Sequence, residues 1–286
     1  MGNLMPRWAV TAMLRPPFSA RRAVSRAIGR EPDRVTGKRI LVTGASSGIG
    51  REAALRLADL GAEVIVVARR EQELGEVRDE IVERGGRAHA IGCDLTDTTA
   101  VDALAAQVLE RFGGVDVLIN NAGRSIRRTV SDSCDRLHDY ERTMAVNYFG
   151  PVALTLRLLP AMLEQRGGHV INVATWGVPA ETMPKFAAYH ASKSALSAFG
   201  RSMGAETAAQ GIRVTTVHFP LVRTPMIAPT DDYRELAALT PSEAAQWLVE
   251  AVRTQPASLR PRYVGLVRAF SAVSPSFADA MVVKAT

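Results

Sequence analysis

Residues 43–50 read TGASSGIG, between an apolar β-branched run, KRILVTG (38–44), and a helical stretch, IGREAALRLADLG (49–61). The glycines at 44, 48 and 50 permit a sharp turn and a close backbone approach. The turn delivers the chain to a helix N-terminus, where unpaired N–H groups and the helix dipole favour an anion. A glycine pattern alone is a weak signal. A strand before it and a helix after it make it a dinucleotide pyrophosphate cradle, with Gly44, Ser46, Ser47, Gly48, Ile49 and Gly50 as candidate contacts.

Outward from this loop, short β-branched runs alternate with longer helical stretches. Strands are predicted at 38–44, 62–70, 87–94, 115–123, 169–175 and 212–220. Helices are predicted at 49–61, 71–84, from a cap at Thr96 or Asp97 to Phe112, over a long region broken near Gly150–Pro151, at 186–208 and at 241–254. Strands without strict polar alternation, separated by helices, imply a parallel sheet covered on both faces. The fold class is therefore α/β: a doubly wound parallel sheet, or Rossmann fold, with ligands at the carboxyl ends of its strands. One catalytic domain is expected over 36–255, with a small lid at 225–240 after the sixth strand, a leader at 1–35, and an apolar, weakly patterned tail at 256–286.

Of 286 residues, 47% are apolar and 22% charged, ordinary values for a globular protein. The net charge of +6 equals the six arginines of residues 1–30, a stretch without lysine or acidic residues. The remainder holds as many basic as acidic groups, and no basic stripe with interleaved aromatics points to nucleic acid. Cys93 and Cys134 lack metal-ligand spacing, so no metal site is expected and a reducing cytoplasmic setting is the default. No run of 18 apolar residues reads as a membrane span. The arginine-rich leader is open to three readings: a transit peptide, a flexible leader, or a membrane-surface segment giving peripheral contact through residues 1–30.

About 20 residues beyond the cradle, an acidic side chain would select NAD; this chain offers Ala68-Arg69-Arg70 instead. Arg69 suits the 2′-phosphate of NADP as a charge-assisted contact, with Ser46 and Ser47 adding hydroxyls. Further on, YHASK (189–193) places Tyr189 and Lys193 four residues apart on one helix face. A tyrosine is a poor acid–base near neutral pH unless a cation stabilises its phenolate, which Lys193 can do.

The glycine loop, NNAG (120–123), VAT (173–175) and YHASK occur in the order and spacing of the short-chain dehydrogenase/reductase family, which the chain resembles over about 36–255. The resemblance implies Tyr189 as catalytic acid/base and Lys193 as the ribose-binding partner that lowers its pKa. It implies Asn147 as holder of a relay water, Asp94 and Leu95 beside the adenine, and Asn121, Ala122 and Gly123 along the cofactor. Two departures stand out. Thr175 occupies the position of the usual serine, keeping the hydroxyl with a stiffer χ1. The usual Pro-Gly reads Pro220-Leu221, leaving Val222 and Thr224 to contact the carboxamide. The resemblance also implies pairing into a dimer or tetramer through the helices near 132–165 and 186–208.

The substrate is the open question. LINNAGRSIRR (118–128), RLHDYERTMAVNYFG (136–150) and FPLVRTPMIAPT (219–230) resemble the fatty acyl-CoA reductase branch, implying NADPH and a long-chain acyl thioester. Trp176, Met183, Phe186 and Met226 are candidates for an apolar pocket, and equally for ordinary packing. Arg127 and Arg128, with Arg124, would suit the phosphates of CoA, or would pair with Asp132, Asp135, Asp139 and Glu141 nearby. A reductase of another lipophilic ketone, aldehyde or alcohol and a non-catalytic NADP-binding protein remain the alternatives.

Overall fold

The computed structural model describes residues 34–228, 236–274, 276 and 279–280. Seven strands form one sheet: β1 Arg39–Thr43, β2 Glu63–Ala68, β3 Arg87–Gly92, β4 Val117–Asn120, β5 Gly168–Thr175, β6 Ile212–Phe219 and β7 Ser258–Leu259. Their order is β3-β2-β1-β4-β5-β6-β7 and every pair is parallel. The chain leaves β1 towards one edge and β4 towards the other, which opens a crevice at their carboxyl ends.

The helices are α1 Gly48–Asp59, α2 Glu71–Glu83, α3 Thr98–Phe112, α4 Leu137–Met144, α5 Gly150–Glu164, α6 Gly177–Ala180, α7 Ala187–Thr207, α8 Pro241–Thr254 and α9 Tyr263–Val273. Alternate strand residues bury into two cores. Ile40, Val42, Val64, Val66 and Ile119 pack beneath α1, α2 and α8. Leu41, Ile65, Val67, Leu118 and Val170 pack beneath α3 and α5. Each such side chain, withdrawn from water, contributes about 1.5–3 kcal/mol. Local signals agree with this layout. The Asp97 carboxylate accepts from Thr99 N and Ala100 N at the start of α3, and Thr240 with Glu243 forms a capping box on α8.

The break expected from the sequence near Gly150–Pro151 is absent. The long helix runs on through a π-turn, Ala145–Phe149, in which Gly150 N–H donates to the Ala145 carbonyl. The turn immediately precedes Pro151, which has no N–H to donate back into the helix. The span Leu137–Glu164 has the length and apolar character of a membrane-crossing helix. Here α4 packs on α7, and α5 packs mainly on α3. Beyond 255 the expected tail supplies β7, which extends the sheet, and α9, which packs on α6. The sheet therefore outruns the boundary expected at 255. The leader reading for residues 1–30 lies outside the described residues, as does the lid between 229 and 235.

Gly150 makes the closest helix–loop contact bearing on the site: a Cβ there would lie 2.3 Å from the Leu95 carbonyl oxygen. Gly150→Ala is expected to destabilise the fold by about 2 kcal/mol, as overpacking of a close contact does. Urea unfolding measures this. Dinucleotide binding should weaken with it, because the pushed segment, Asp94–Leu95, lines the crevice.

Candidate active site

The crevice is a cavity of about 390 Å³ lined by the ends of β1, β2, β4, β5 and β6 and by α7. At the end of β1, Gly44 takes a positive φ of 66°, and a Cβ there would meet Ala122 Cα at 2.8 Å. A Cβ on Gly50 would lie 2.4 Å from the Gly44 carbonyl. Asn121 seals this seam: its Nδ2 donates to the carbonyls of Thr43 (2.9 Å) and Gly44 (3.3 Å). The Thr43 hydroxyl in turn accepts from Asn121 N and Ala122 N, at 3.0 Å each. Ser47, at the N-cap of α1, makes no side-chain cap bond, and the first turn holds no acidic residue. The cradle thus offers backbone N–H groups to an anion without competition from a carboxylate, and it fits a dinucleotide pyrophosphate.

At the end of β2 the two arginines divide. Arg70 Nη2 donates to Ser46 Oγ and Ser47 Oγ, both at 2.9 Å, while its Nη1 reaches Glu73 at 3.0 Å. Arg69, singled out in the sequence, instead lies 3.6 Å from the Asp94 carboxylate. Hydrogen bonds from Thr96, with the charge of Arg69, hold Asp94 below its usual pKa against the cost of burial. The hydroxyl–guanidinium group that the sequence assigned to Arg69 is therefore built by its neighbour. Cys93 also lines the crevice, and burial with the adjacent Asp94 pushes its thiol up to about 11. It stays a thiol near neutral pH and is no ready nucleophile.

Thr175 ends β5, and Tyr189 and Lys193 stand on α7, all three lining the cavity. Lys193 Nζ is almost wholly buried and donates to the Val173 carbonyl at 2.9 Å. Burial alone depresses its pKa to about 8 and raises that of Tyr189 to about 12. The tyrosine is therefore held as a neutral phenol, the form that donates a proton, one helical turn from Lys193; burial here raises the tyrosine pKa, where the resemblance implied a lowering by the lysine. The Thr175 hydroxyl lies 4.0 Å from Met183 Sδ. Met183 sits in a loop bracketed by two left-handed non-glycine residues, Glu181 (φ 68°) and Lys185 (φ 65°), the kind of backbone strain that collects at functional sites.

Asn147 is fully buried and does not line the cavity. Its Oδ1 accepts from Arg124 N (2.8 Å), and its Nδ2 donates to Arg124 O and Ser192 Oγ (2.9 Å each). The side chain ties the loop after β4 to the residue before Lys193, and is not aimed at the cleft. Ser192 completes the tie by donating to the Tyr189 carbonyl at 2.7 Å.

Most of the other sequence candidates converge: Leu95, Gly123, Pro220, Val222, Thr224, Trp176, Phe186 and Met226 all line the cavity. The arginines of the loop after β4 separate. Arg128 N–H donates to the Lys185 carbonyl, and its guanidinium lies 3.6 Å from Asp139, which Arg136 holds at 2.9 Å. Arg127 lines the cavity together with Ser125. Ser125, Val146 and Ile227 lie in the stretches quoted above, and Arg70 beside Arg69, but none of them, nor Cys93, is singled out by the sequence as a site residue. Only their neighbours in space mark them.

Residues 38–235 match the family model described as short chain dehydrogenase. The chain is 49% identical over 271 residues to a fatty acyl-CoA reductase of Mycobacterium tuberculosis, covering 95% of this chain and 92% of that one. It is 47% identical over 243 residues to a fatty acyl-CoA reductase of Acinetobacter baylyi, covering 85% and 82%. A metagenomic short-chain oxidoreductase solved in complex with NADP superposes with a TM-score of 0.67 at 31% identity, covering 78% of this chain and 93% of that one.

Keeping Lys193 charged inside the fold opposes stability. Its pKa falls from 10.5 unfolded to about 8 folded, so the cost is fully present below pH 8. Stability then rises with pH as the folded lysine gives up its proton first, until the unfolded one follows near 10.5. Lys193→Met is therefore expected to raise the melting temperature of the cofactor-free protein at pH 7 by roughly 2–8 °C. The gain should shrink as pH climbs from about 8 towards 10.5. Calorimetry across that range checks it.

Proposed function

The chain belongs to the short-chain dehydrogenase family and is a nicotinamide-dependent oxidoreductase, and on that premise we propose that it reduces a long-chain fatty acyl-CoA to the aldehyde with NADPH. One observation carries the reading. A single cavity joins the dinucleotide cradle, the Thr175–Tyr189–Lys193 group, the apolar side chains Trp176, Met183, Phe186 and Met226, and the cationic Arg127. The resemblance to two fatty acyl-CoA reductases over most of the chain supports it.

A nicotinamide held along the cradle would supply the hydride that the thioester carbonyl carbon takes up. The hydroxyls of Thr175 and Tyr189 hold the developing oxyanion. Tyr189 protonates it, and Lys193 stabilises the tyrosinate left behind. The resulting hemithioacetal collapses to aldehyde and free thiol. No protein nucleophile is required, in keeping with the suppressed thiolate of Cys93. Arg70, with Ser46 and Ser47, would hold the 2′-phosphate, and Arg69 with Asp94 would flank the adenine. Arg127 meets the phosphates of CoA, whereas Arg128 serves the fold through Asp139. Leu137, Phe149 and Leu156 leave apolar surface on the α4–α5 helix, the region through which a cytoplasmic dimer or tetramer would pair.

Palmitoyl-CoA is expected to drive NADPH oxidation faster than a panel of ketones, and no oxidation with it beside brisk ketone turnover would overturn the reading. Arg70→Ala should raise KM for NADPH about tenfold and leave NADH unchanged, the loss expected for a partly exposed charge-assisted hydrogen bond. Arg127→Ala should raise KM for palmitoyl-CoA and spare a CoA-free aldehyde, while Arg128→Ala should lower thermal stability without that selectivity.

A further inference from the structure

We propose that the C-terminal segment backs the substrate pocket without lining it, and that Tyr263 sets, through Trp176, the length of apolar chain the cleft accepts. The inference rests on the reading that the substrate carries a long apolar chain on its carbonyl. Trp176 follows Thr175 directly, is half-buried, and lines the cavity. Its indole is packed edge-on by the ring of Tyr263, with centroids 5.9 Å apart and planes at 63°. Met183 Sδ lies 4.0 Å from the Thr175 hydroxyl, so both a thioether and an indole border that hydroxyl's end of the cavity, and the indole has a backing of its own.

That backing is fixed in place. β7 pairs with β6 at Thr216–Ser258 and Val217–Leu259, which carries the chain across the edge of the sheet. Val264, next to Tyr263, is fully buried, and α9 packs along α6, the short helix that begins immediately after Trp176. Tyr263 does not itself line the cavity. It is a positioning residue: it blocks the direction in which the Trp176 ring would swing to lengthen the pocket. A half-buried aromatic pair of this kind holds its geometry through both contact area and ring orientation.

The test is the ratio of kcat/KM values along a series of saturated acyl-CoAs from octanoyl to icosanoyl, for the wild type, Tyr263→Phe and Tyr263→Ala. Tyr263→Phe keeps the ring contact and should keep the profile. Tyr263→Ala frees the indole and should move the preference to longer chains, by about fourfold for each methylene newly accommodated. KM for NADPH should be unchanged in both. A uniform loss at every chain length, or an unchanged profile, overturns the proposal. The same variants assayed with a series of 2-alkanones separate it from the substrate reading. Turnover of ketones alone would sink the acyl-CoA assignment, yet a length shift within that series would still uphold the role of Tyr263. Calorimetric binding of free fatty acids of the same lengths reads the preference without turnover, and decides the matter should neither series be reduced.

Discussion

The amide of Asn121 holds together the two loops between which the whole site is built. By donating to the carbonyls of Thr43 and Gly44, it closes the seam where β1 and β4 part, the point at which the sheet changes direction. The seam tolerates no side chain at Gly44 or Gly50, because backbone and amide already occupy the space. From this contact the rest follows in order. The cradle faces the N-terminus of α1, the loop after β4 lies flat enough for Asn147 to grip Arg124, and Asn147 passes the constraint to Ser192 and so to the face of α7 that bears Tyr189 and Lys193. Adjacent residues of one short motif thus do different work. Asn120 turns inward, donating to Asn172 on β5 and Thr155 on α5, while Asn121 turns to the seam, as the two-residue period of a strand requires.

The chemistry at the other end of this chain of contacts is a compromise over burial. A dry pocket keeps Tyr189 protonated and strengthens any field within it, but it also makes the lysine ammonium costly to hold. One backbone carbonyl, that of Val173, is its hydrogen-bond partner among the described residues. Stability is reduced locally by a positive charge kept one helical turn from Tyr189. The same logic sorts the carboxylates and cations at the mouth. Asp139 is buried and holds Arg136 and Arg128, leaving the cavity wall to Arg127.

Much of this was legible in the sequence, and the misses have physical causes. The six longer strands and the helices between them follow from runs of apolar residues bounded by glycine and capping residues, and the glycine loop and YHASK fall where their flanking elements place them. What periodicity does not convey is direction. Arg69 and Arg70 are adjacent, and only the twist at the end of β2 decides which faces the serines. Arg127 and Arg128 are separated in the same way, by the backbone bond from Arg128 to Lys185. The Gly150–Pro151 pair looks like a helix break because propensity is local, whereas the π-turn that absorbs it is set by tertiary contact with Leu95. The tail appears unpatterned because β7 is two residues long and α9 is strongly apolar overall, so neither stands out from the apolar run around it.

The π-turn also gives the long helix two addresses. One extra residue in the turn rotates everything downstream by about 100° relative to an unbroken α-helix. The first half therefore presents its buried stripe to α7, and the second half presents its own to α3. Length in this segment is a discrete variable: gaining or losing one residue between 145 and 149 would not loosen the helix but re-index it, exchanging the faces seen by its neighbours. Helix α7 and the Asp94–Leu95 segment are in that sense kept in register by a single inserted residue, which neither of them contains.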